Sequence, residues 1–168
     1  MSMNSLQDLF VQQLKDLYSA ENQLIKALPK MAKGATTPEL RKAFESHLEE
    51  TRNQAGRIEQ IFKAESLQGV PGGHKCKGME GLVAEGSEIL EEKGDQNVLD
   101  AGIIAAAQRV EHYEIAGYGT ARAMAKLLGY TTAEQMLSKS LDEEAAADEK
   151  LTSIAEKYIY AAVPQNGK

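Results

Sequence analysis

Apolar residues recur along most of the chain at steps of three and four positions, which is the period of a helix that buries one face. No segment shows the strict alternation of apolar and polar residues that indicates a β-strand. The pattern predicts four long helices and one short helix. Their approximate limits are residues 5–33, 37–67, 79–92, 96–128 and 132–161. The chain is therefore predicted to be all-α.

Residues that favour helix ends support these limits. Ser5 and Asp8 have the spacing of a capping box at the start of the first helix. Thr37 is expected to cap the second helix, and the segment YTTAEQ is expected to cap the last one. Pro164 should close the last helix, because proline cannot continue a helical hydrogen-bond ladder.

The lengths of the links between the helices predict how they are connected in space. The first two and the last two long helices have short links, so each pair should form an antiparallel hairpin. Residues 66–95, which begin with a glycine-rich stretch and include the short helix, are long enough to cross between the hairpins. A four-helix bundle with one long crossover is the ferritin-like arrangement. His74 and Cys76 in this crossover resemble half of a metal site, but without further ligands beside them a loop role is favoured.

Polar residues interrupt the apolar face of every long helix. In the first helix, Glu21 occupies a regular place in an apolar series that alternates steps of four and three, so its side chain should face the bundle centre. The second helix carries His47 and Gln54 in the middle of its apolar face, with Glu50 beside them. The polar residues on the four inward faces are Glu21, His47, Glu50, Gln54, Glu111, Glu114, Glu144 and Asp148.

Four of these carboxylates fall near the midpoints of their helices. They are Glu21, Glu50, Glu111 and Glu144. Helix midpoints coincide in an up-and-down bundle, so these side chains should converge. Buried carboxylates destabilise a fold by several kcal/mol each unless they are protonated, paired with bases or bound to a cation, and no inward position is Lys or Arg. The sequence therefore predicts two divalent metal ions, and the oxygen-rich ligand set suits iron, manganese or magnesium.

Simpler explanations exist for individual residues. A single inward glutamate is explained by an error in helix phase or by a local salt bridge, but its recurrence in four helices favours a site. His47 is interpreted as a ligand, as a hydrogen-bond donor behind a ligand, or as an ordinary core histidine. Tyr18 and Tyr118 are placed to hydrogen-bond a carboxylate, although aromatic packing would also explain them. His112 lies on a different face from Glu111 and is expected to be structural or exposed.

Composition and charge narrow the class of protein. A chain of 168 residues is long enough for a single domain with a full core. The net charge of −6 argues against binding to nucleic acid or to an anionic membrane surface. One cysteine cannot form an internal disulfide, and the first residues lack the features of a signal peptide, so the cytoplasm is the expected location.

Five segments, spread over nearly the whole chain, resemble the YciF-type family of ferritin-like, stress-associated bacterial proteins. They are YSAENQL, FESHLEETRNQ, KCKGMEGLVAEG, IAAAQRVEHYEIAGYGT and LDEEAAADEKLT. The resemblance implies a ferritin-like four-helix domain with an extra short helix, related in architecture to rubrerythrins. It also implies a homodimer, which would cover the apolar face of the short helix. No settled biochemical activity comes with the family.

The di-metal carboxylate pattern of such bundles takes one Glu from each of two helices and a Glu-x-x-His pair from each of the other two. Glu21 and Glu111 match the single glutamates. Glu114 is an additional acid, in the Glu-x-x-Glu manner of rubrerythrins. Glu50 and Glu144 match the glutamates of the two pairs.

The histidines of that pattern are absent from this chain. Asn53 and Ala147 stand at the two positions where the pattern has His. One residue further along, Gln54 and Asp148 share the faces of their glutamates and are candidate ligands or supporting residues, as is His47. The predicted site is therefore almost wholly oxygen-ligated.

The leading functional hypothesis is a pair of metal ions bridged by Glu50 and Glu144, with Glu21 and either Glu111 or Glu114 as terminal ligands. Iron is favoured, with manganese or magnesium as alternatives, and the chemistry would be oxygen or peroxide reduction coupled to metal oxidation. No catalytic residue is assigned. One competing hypothesis is a non-catalytic stress protein whose polar core is structural or binds metal only structurally. Another is iron storage, which would require a closed multi-subunit shell.

Overall fold

The computed structural model describes residues 3–163, and within this range it contains helices but no β-strand. The α-helices in chain order are α1 (Leu6–Gly34), α2 (Pro38–Ala64), α3 (Lys77–Glu91), α4 (Gln96–Leu128) and α5 (Thr131–Ile154). The all-α prediction is confirmed. Pro164, which was expected to close the last helix, lies outside the described residues. No helix in the described range is long and apolar enough to cross a membrane.

Two of the helix ends follow the expected capping chemistry. At the start of α1, the Asp8 backbone N–H donates to Ser5 Oγ at 3.1 Å, and the Ser5 backbone N–H donates to Asp8 Oδ2 at 3.0 Å. This reciprocal pair is the capping box. At the end of α4, Gly129 has a φ of 74°, a left-handed conformation that glycine adopts without strain.

Two other helix starts are capped by distant residues instead of the local side chains predicted for them. The Thr37 side chain makes no capping bond to α2; its hydroxyl donates to Asp100 Oδ2 at 2.6 Å. The start of α5 has no cap from Tyr130, and the Ala133 backbone N–H donates to Glu65 Oε1 at 3.1 Å. Both predictions of local side-chain caps were wrong because a tertiary neighbour supplies the acceptor.

The last helix does not continue as an α-helix to residue 161. It changes to a π-helical turn over Ala155–Ile159, in which the Tyr160 backbone N–H donates to Ala155 O at 2.9 Å. Because a π turn contains one extra residue, the inward position moves from Tyr158, which is 50% exposed, to Ile159, which is fully buried. Tyr158 had been assigned to the inward face, and this turn is the reason that the assignment was wrong.

The helices pack as two hairpins, α1 with α2 and α4 with α5, and the hairpins meet through α2–α5 and α1–α4 contacts. Two apolar clusters fill the bundle at opposite ends. One includes Phe10, Leu14 and Ile58, and the other includes Leu28 and Phe44. The polar inward residues lie between these clusters, in the middle of the bundle.

The crossover helix α3 covers α1 and α4 from outside. Only Met79 of α3 is fully buried. A Cβ atom at Gly34 would lie 2.5 Å from Leu90 Cδ2, and one at Gly102 would lie 3.1 Å from Ile89 Cγ2, so two glycines of the bundle allow α3 to approach closely. The chain itself therefore covers part of the apolar face that was expected to need a second subunit.

Candidate metal centre

Side chains from three helices form a compact polar cluster in the middle of the bundle. His47 on α2, Glu111 and Glu114 on α4, and Glu144 on α5 each place one potential ligand atom within 4.8 Å of all the others. All four side chains are buried. The cluster has the residue types and the spacing that could hold a metal ion.

Glu21 brings a fourth helix, α1, to the same region. It is fully buried, and the Tyr118 hydroxyl donates a hydrogen bond to its Oε1 atom. The two helices approach closely here: a Cβ atom at Gly117 would lie 2.8 Å from Leu17 Cδ2. The predicted convergence of inward acids from α1, α4 and α5 is what the structure shows.

These side chains lack hydrogen-bond partners to an unusual degree. Seven buried oxygen or nitrogen atoms at the centre have no partner among residues 3–163, and one more such atom, Gln12 Oε1, lies elsewhere. The seven are Glu21 Oε2, His47 Nε2, Gln54 Oε1, Glu111 Oε2, Glu114 Oε1, Glu114 Oε2 and Glu144 Oε2. Because buried polar atoms in folded proteins almost always have partners, this concentration indicates that the centre is incomplete without a bound group.

The electrostatics of the centre are those of crowded acids. Burial raises the pKa of Glu21, Glu111 and Glu114 well above the ordinary value of 4.5, and the charges of neighbouring carboxylates raise each pKa further. The hydrogen bond from Tyr118 opposes this rise at Glu21. Without a cation, the centre therefore favours protonated carboxyl groups.

His47 is held by Glu50 in an orientation that presents its other nitrogen to the centre. The ring Nδ1 atom lies 3.0 Å from Glu50 Oε2. The Nε2 atom lies 3.4 Å from Glu111 Oε2 and 3.6 Å from Glu144 Oε2, without hydrogen-bond geometry to either. Burial alone would lower the pKa of His47, but the Glu50 hydrogen bond and the nearby acidic charges outweigh it, so the pKa is raised.

Glu50 does not join the cluster in the structure, although the sequence placed it among the converging glutamates. Its side chain is 42% exposed and bonds to the outer nitrogen of His47. The hydrogen bond from His47 lowers the pKa of Glu50. His47 and Glu50 are three positions apart on α2, so a small rotation of the helix decides which of them points inward.

Gln54 is buried and lies at the centre, as predicted. Its side-chain amide donates a hydrogen bond to Glu144 Oε1 and leaves its own Oε1 atom without a partner. This contact links α2 to α5, just as the bond from Tyr118 to Glu21 links α4 to α1. Tyr18 also bonds a carboxylate, but that partner is Glu59 on the protein surface, at 2.7 Å.

Asp148 lies at the edge of the bundle instead of inside the centre. Its side chain is 20% exposed, with Oδ2 at 3.3 Å from the exposed His112 ring. Its Oδ1 atom accepts a hydrogen bond from Gln108 at 3.0 Å. One helical turn from Glu144, Asp148 is rotated toward the α4 side, so the structure does not bring it to the other acids.

Arg57 is a neighbour of the centre that the sequence did not single out. It reaches between α2 and α5, where it donates to Glu143 at 2.5 and 2.7 Å and to Ser140 Oγ at 3.0 Å. Its charge contributes to lowering the pKa of Glu21 and of Glu50. Its position three residues after Gln54 was the signal that could have drawn attention to it.

His74 and Cys76 join the crossover loop to the bundle, which agrees with the loop role favoured for them. His74 Nε2 lies 3.1 Å from Asp16 Oδ1, and the Cys76 thiol lies 3.2 Å from Asp16 Oδ2 and 2.9 Å from the Tyr113 hydroxyl. Tyr113 in turn donates to Asp16 Oδ2 at 2.7 Å. Burial raises the pKa of the Cys76 thiol.

Fold and centre together define a ferritin-like helical bundle with a buried carboxylate–histidine cluster that could bind metal. The family described as "Domain of unknown function (DUF892)" matches residues 5–163, and the chain belongs to this family. It is 46% identical over 155 residues to Protein YciF of Escherichia coli (strain K12), covering 92% of this chain and 93% of that protein. The resemblance seen in the sequence is confirmed.

Solved structures agree with this assignment. The crystal structure of the E. coli stress protein YciF matches with a TM-score of 0.89, covering 92% of this chain and 96% of that chain. YcfI from Rhodopseudomonas palustris, at 45% identity, matches with a TM-score of 0.86 over 92% of this chain and 97% of that one. A ferritin-like, diiron-carboxylate protein from Bacillus anthracis has a TM-score of 0.70 at 17% identity, covering 91% of this chain and 99% of that chain. This last match supports the fold alone.

Proposed function

We propose that the protein binds two divalent metal ions in the bundle core. The observation that carries the proposal is the group of buried, unpartnered ligand atoms contributed by the four long helices. The ligands would be Glu21, His47, Glu111, Glu114 and Glu144. Four carboxylates carry four negative charges when ionised, and two divalent cations would neutralise them, whereas one would not.

The residues around these ligands would hold them in place. Glu50 accepts the Nδ1 proton of His47 and leaves Nε2 free to bind a metal ion. Gln54 and Tyr118 donate to Glu144 and to Glu21, which restricts the rotation of both carboxylates. Such supporting contacts orient metal ligands and influence metal affinity.

Iron is the favoured metal, with manganese next, because one imidazole among several carboxylates suits these ions better than magnesium. When bound, such a pair would supply electrons for oxygen or peroxide reduction. The chain contributes a dry core around the centre and carboxyl groups whose pKa is raised by burial, which can hold protons when the centre lacks metal.

Further parts of the proposal concern the protein's role and assembly. The E. coli relative is named a stress protein, and we propose a role under stress for this chain as well. A homodimer is proposed from the family resemblance, since α1 and α4 already cover part of α3. Light scattering at micromolar concentration should give twice the chain mass of 18.3 kDa. A monomer mass would contradict the dimer without touching the metal centre.

Metal analysis tests the centre directly. Protein purified without chelator, or reloaded with Fe(II) or Mn(II) under anaerobic conditions, should hold two ions per chain. Glu114→Gln should lower this to one ion or fewer. Glu149→Gln, an exposed position on the same face-to-face hairpin, should retain two. Fewer than one ion per chain in the unmodified protein after reloading would contradict the proposal.

The alternative is a structural role for the polar centre. The bonds from Gln54 to Glu144 and from Tyr118 to Glu21 would fix the alignment of the helices without any metal. In that case Glu114, which makes no such bond, would have no function, and its replacement by Gln would have the same effect on stability with and without added metal.

A further inference from the structure

A cavity of about 310 Å³ opens between α2 and α5 and reaches the proposed metal centre. Its lining includes His47 and Glu111, which are only 6% and 3% exposed. It also includes Lys139 and Lys150, which are exposed. The cavity therefore leads from solvent to two of the unpartnered ligand atoms. Its volume corresponds to roughly ten water-sized groups at ~30 Å³ each.

Most of the inner wall is apolar. The apolar lining residues are Ala43, Phe44, Ala146, Ala147 and Leu151. Three of these are alanines, and their small side chains leave the space between the two helices open. A concave, largely apolar cavity with a few polar groups is typical of sites for small organic molecules. It is larger and less polar than a path for a single cation requires.

Two of the acids at the cavity are already paired. Glu50 is bonded to the ring of His47 at 3.0 Å. Glu143 receives two hydrogen bonds from the Arg57 guanidinium, at 2.5 and 2.7 Å. These acids are therefore poor attractors for an additional cation.

The lysines at the cavity are not paired. Neither Lys139 nor Lys150 forms an ion pair with any residue from 3 to 163. Asp142 is the remaining acid at the rim. Two unpaired ammonium groups against one carboxylate leave an excess of positive charge at the mouth, which favours an anionic ligand.

We propose that this cavity binds a small aliphatic carboxylate. The carboxylate lies at the mouth beside Lys139 and Lys150, and the hydrocarbon body packs against Phe44 and Leu151. The far end of the molecule points toward His47 and Glu111. The proposal rests on the proposed function for the reactivity of the occupant, which would make such a molecule the substrate class of the centre, but binding itself does not require metal.

Binding is measured first on metal-free protein, by calorimetric titration with octanoate. Octanoate should bind saturably at one molecule per chain, and at least tenfold more tightly than octylammonium or 1-octanol. Ala147→Leu, which fills the cavity, should weaken octanoate binding at least tenfold. Ala145→Leu, on the same helix but outside the cavity lining, should leave it unchanged.

The lysines provide a second test that does not alter the cavity wall. A Lys139→Gln and Lys150→Gln double variant should bind octanoate no more tightly than 1-octanol, whereas Lys126→Gln on α4 should bind it normally. Circular dichroism melting confirms that each variant is folded. Absence of saturable octanoate binding, equal binding by Ala147→Leu, or preference for octylammonium would each overturn the proposal.

Orientation is read from NMR line broadening of bound octanoate in Mn(II)-loaded protein. Broadening should be greater at the methyl end than beside the carboxylate, and the reverse gradient would overturn the orientation. Octanoate binding without any metal uptake would leave the cavity proposal standing and refute the metal centre. Two bound ions without octanoate binding would do the opposite.

Discussion

Asp100 and Glu114 are carboxylates on the same helix, α4, and are buried to the same extent, with 1% and 0% exposed. Asp100 accepts four hydrogen bonds, at 2.6 to 2.9 Å, from the backbone and hydroxyl groups of Thr36 and Thr37. Glu114 accepts none from the described residues. Burial acts to raise the pKa of both groups, but the four donors lower the net pKa of Asp100, whereas the pKa of Glu114 is raised well above its ordinary value.

The comparison separates two meanings of a buried acid. Asp100 has a structural role, because it supplies acceptors to the turn that joins α1 to α2 and fastens that turn to α4. Glu114 has no donor to satisfy and no donor that satisfies it. Burial alone therefore does not identify a binding site in this molecule; a buried acid without donors does.

The pH dependence of stability should differ in sign between the two kinds of acid. In metal-free protein, the raised pKa values of Glu21, Glu111 and Glu114 mean that the unfolded chain loses protons first, above about 4.5. Stability should then fall as pH rises, by about 1–4 kcal/mol per pH unit over part of the range from 5 to 7. The raised pKa of His47 acts in the same direction, because its contribution is complete below 6.5 and is lost as pH rises through the folded-state pKa.

Urea unfolding at several pH values measures this slope. Asp100 contributes oppositely: its stabilisation is present above 3.8 and is lost as pH falls through its lowered pKa. Metal-loaded protein should gain stability as pH rises, because the ligands bind metal in their deprotonated forms. A metal-free protein that gains stability from pH 5 to 7 would contradict the account of the centre.

Asp100→Ala should destabilise the protein strongly and equally with and without metal. The substitution leaves four buried or partly buried donors of Thr36 and Thr37 without their acceptor, which should cost about 3 kcal/mol. Chemical denaturation of both forms checks the value. A loss that depended on metal would show that Asp100 is coupled to the centre and would remove the distinction drawn here.

Glu114→Gln should have opposite effects in the two forms. Without metal, it removes one of the crowded acids while preserving shape, so the variant should be more stable near neutral pH by at least about 1.4 kcal/mol, the equivalent of one pKa unit. With metal, it removes a ligand and should lower stability, because bound ions stabilise the folded state in proportion to affinity. Melting temperatures of both forms, with Glu149→Gln as the control, reveal the reversal, and destabilisation in both forms would favour the purely structural role.

Tyr118→Phe tests the smallest effect, the donor to Glu21. Loss of this buried hydrogen bond should destabilise metal-free protein by about 1 kcal/mol and weaken metal affinity about tenfold. Tyr18→Phe removes a similar bond to Glu59 at the surface and should change stability by less than about 0.5 kcal/mol. Equal effects of the two substitutions on metal affinity would mean that Tyr118 does not support the centre.

The helices and most of the centre could be predicted because they depend on local periodicity. Glu21, Gln54, Glu111 and Glu144 continue apolar series with helical spacing, so their inward direction follows from the sequence alone. Periodicity could not decide between His47 and Glu50, since a rotation of α2 smaller than the spacing of one residue exchanges them.

Features that depend on distant partners were out of reach of the sequence. Asp100 meets residues 64 positions away in the chain, and Glu65 caps a helix 68 positions further along. The unpaired lysines of the cavity likewise become visible only when α2 and α5 are in place. Local patterns carry no information about which donor a distant acceptor will meet.

The π turn at Ala155–Ile159 means that the chain is one residue longer than a regular helix over the same path would need. An insertion of this kind is absorbed by the backbone where it occurs and leaves Ile159 in its apolar surroundings. Deletion of one exposed residue within the turn, such as Lys157, should restore regular α-helical spacing while keeping Ile159 buried. The end of the bundle is thus a place where relatives can differ in length by one residue without any change in the core that surrounds the acids.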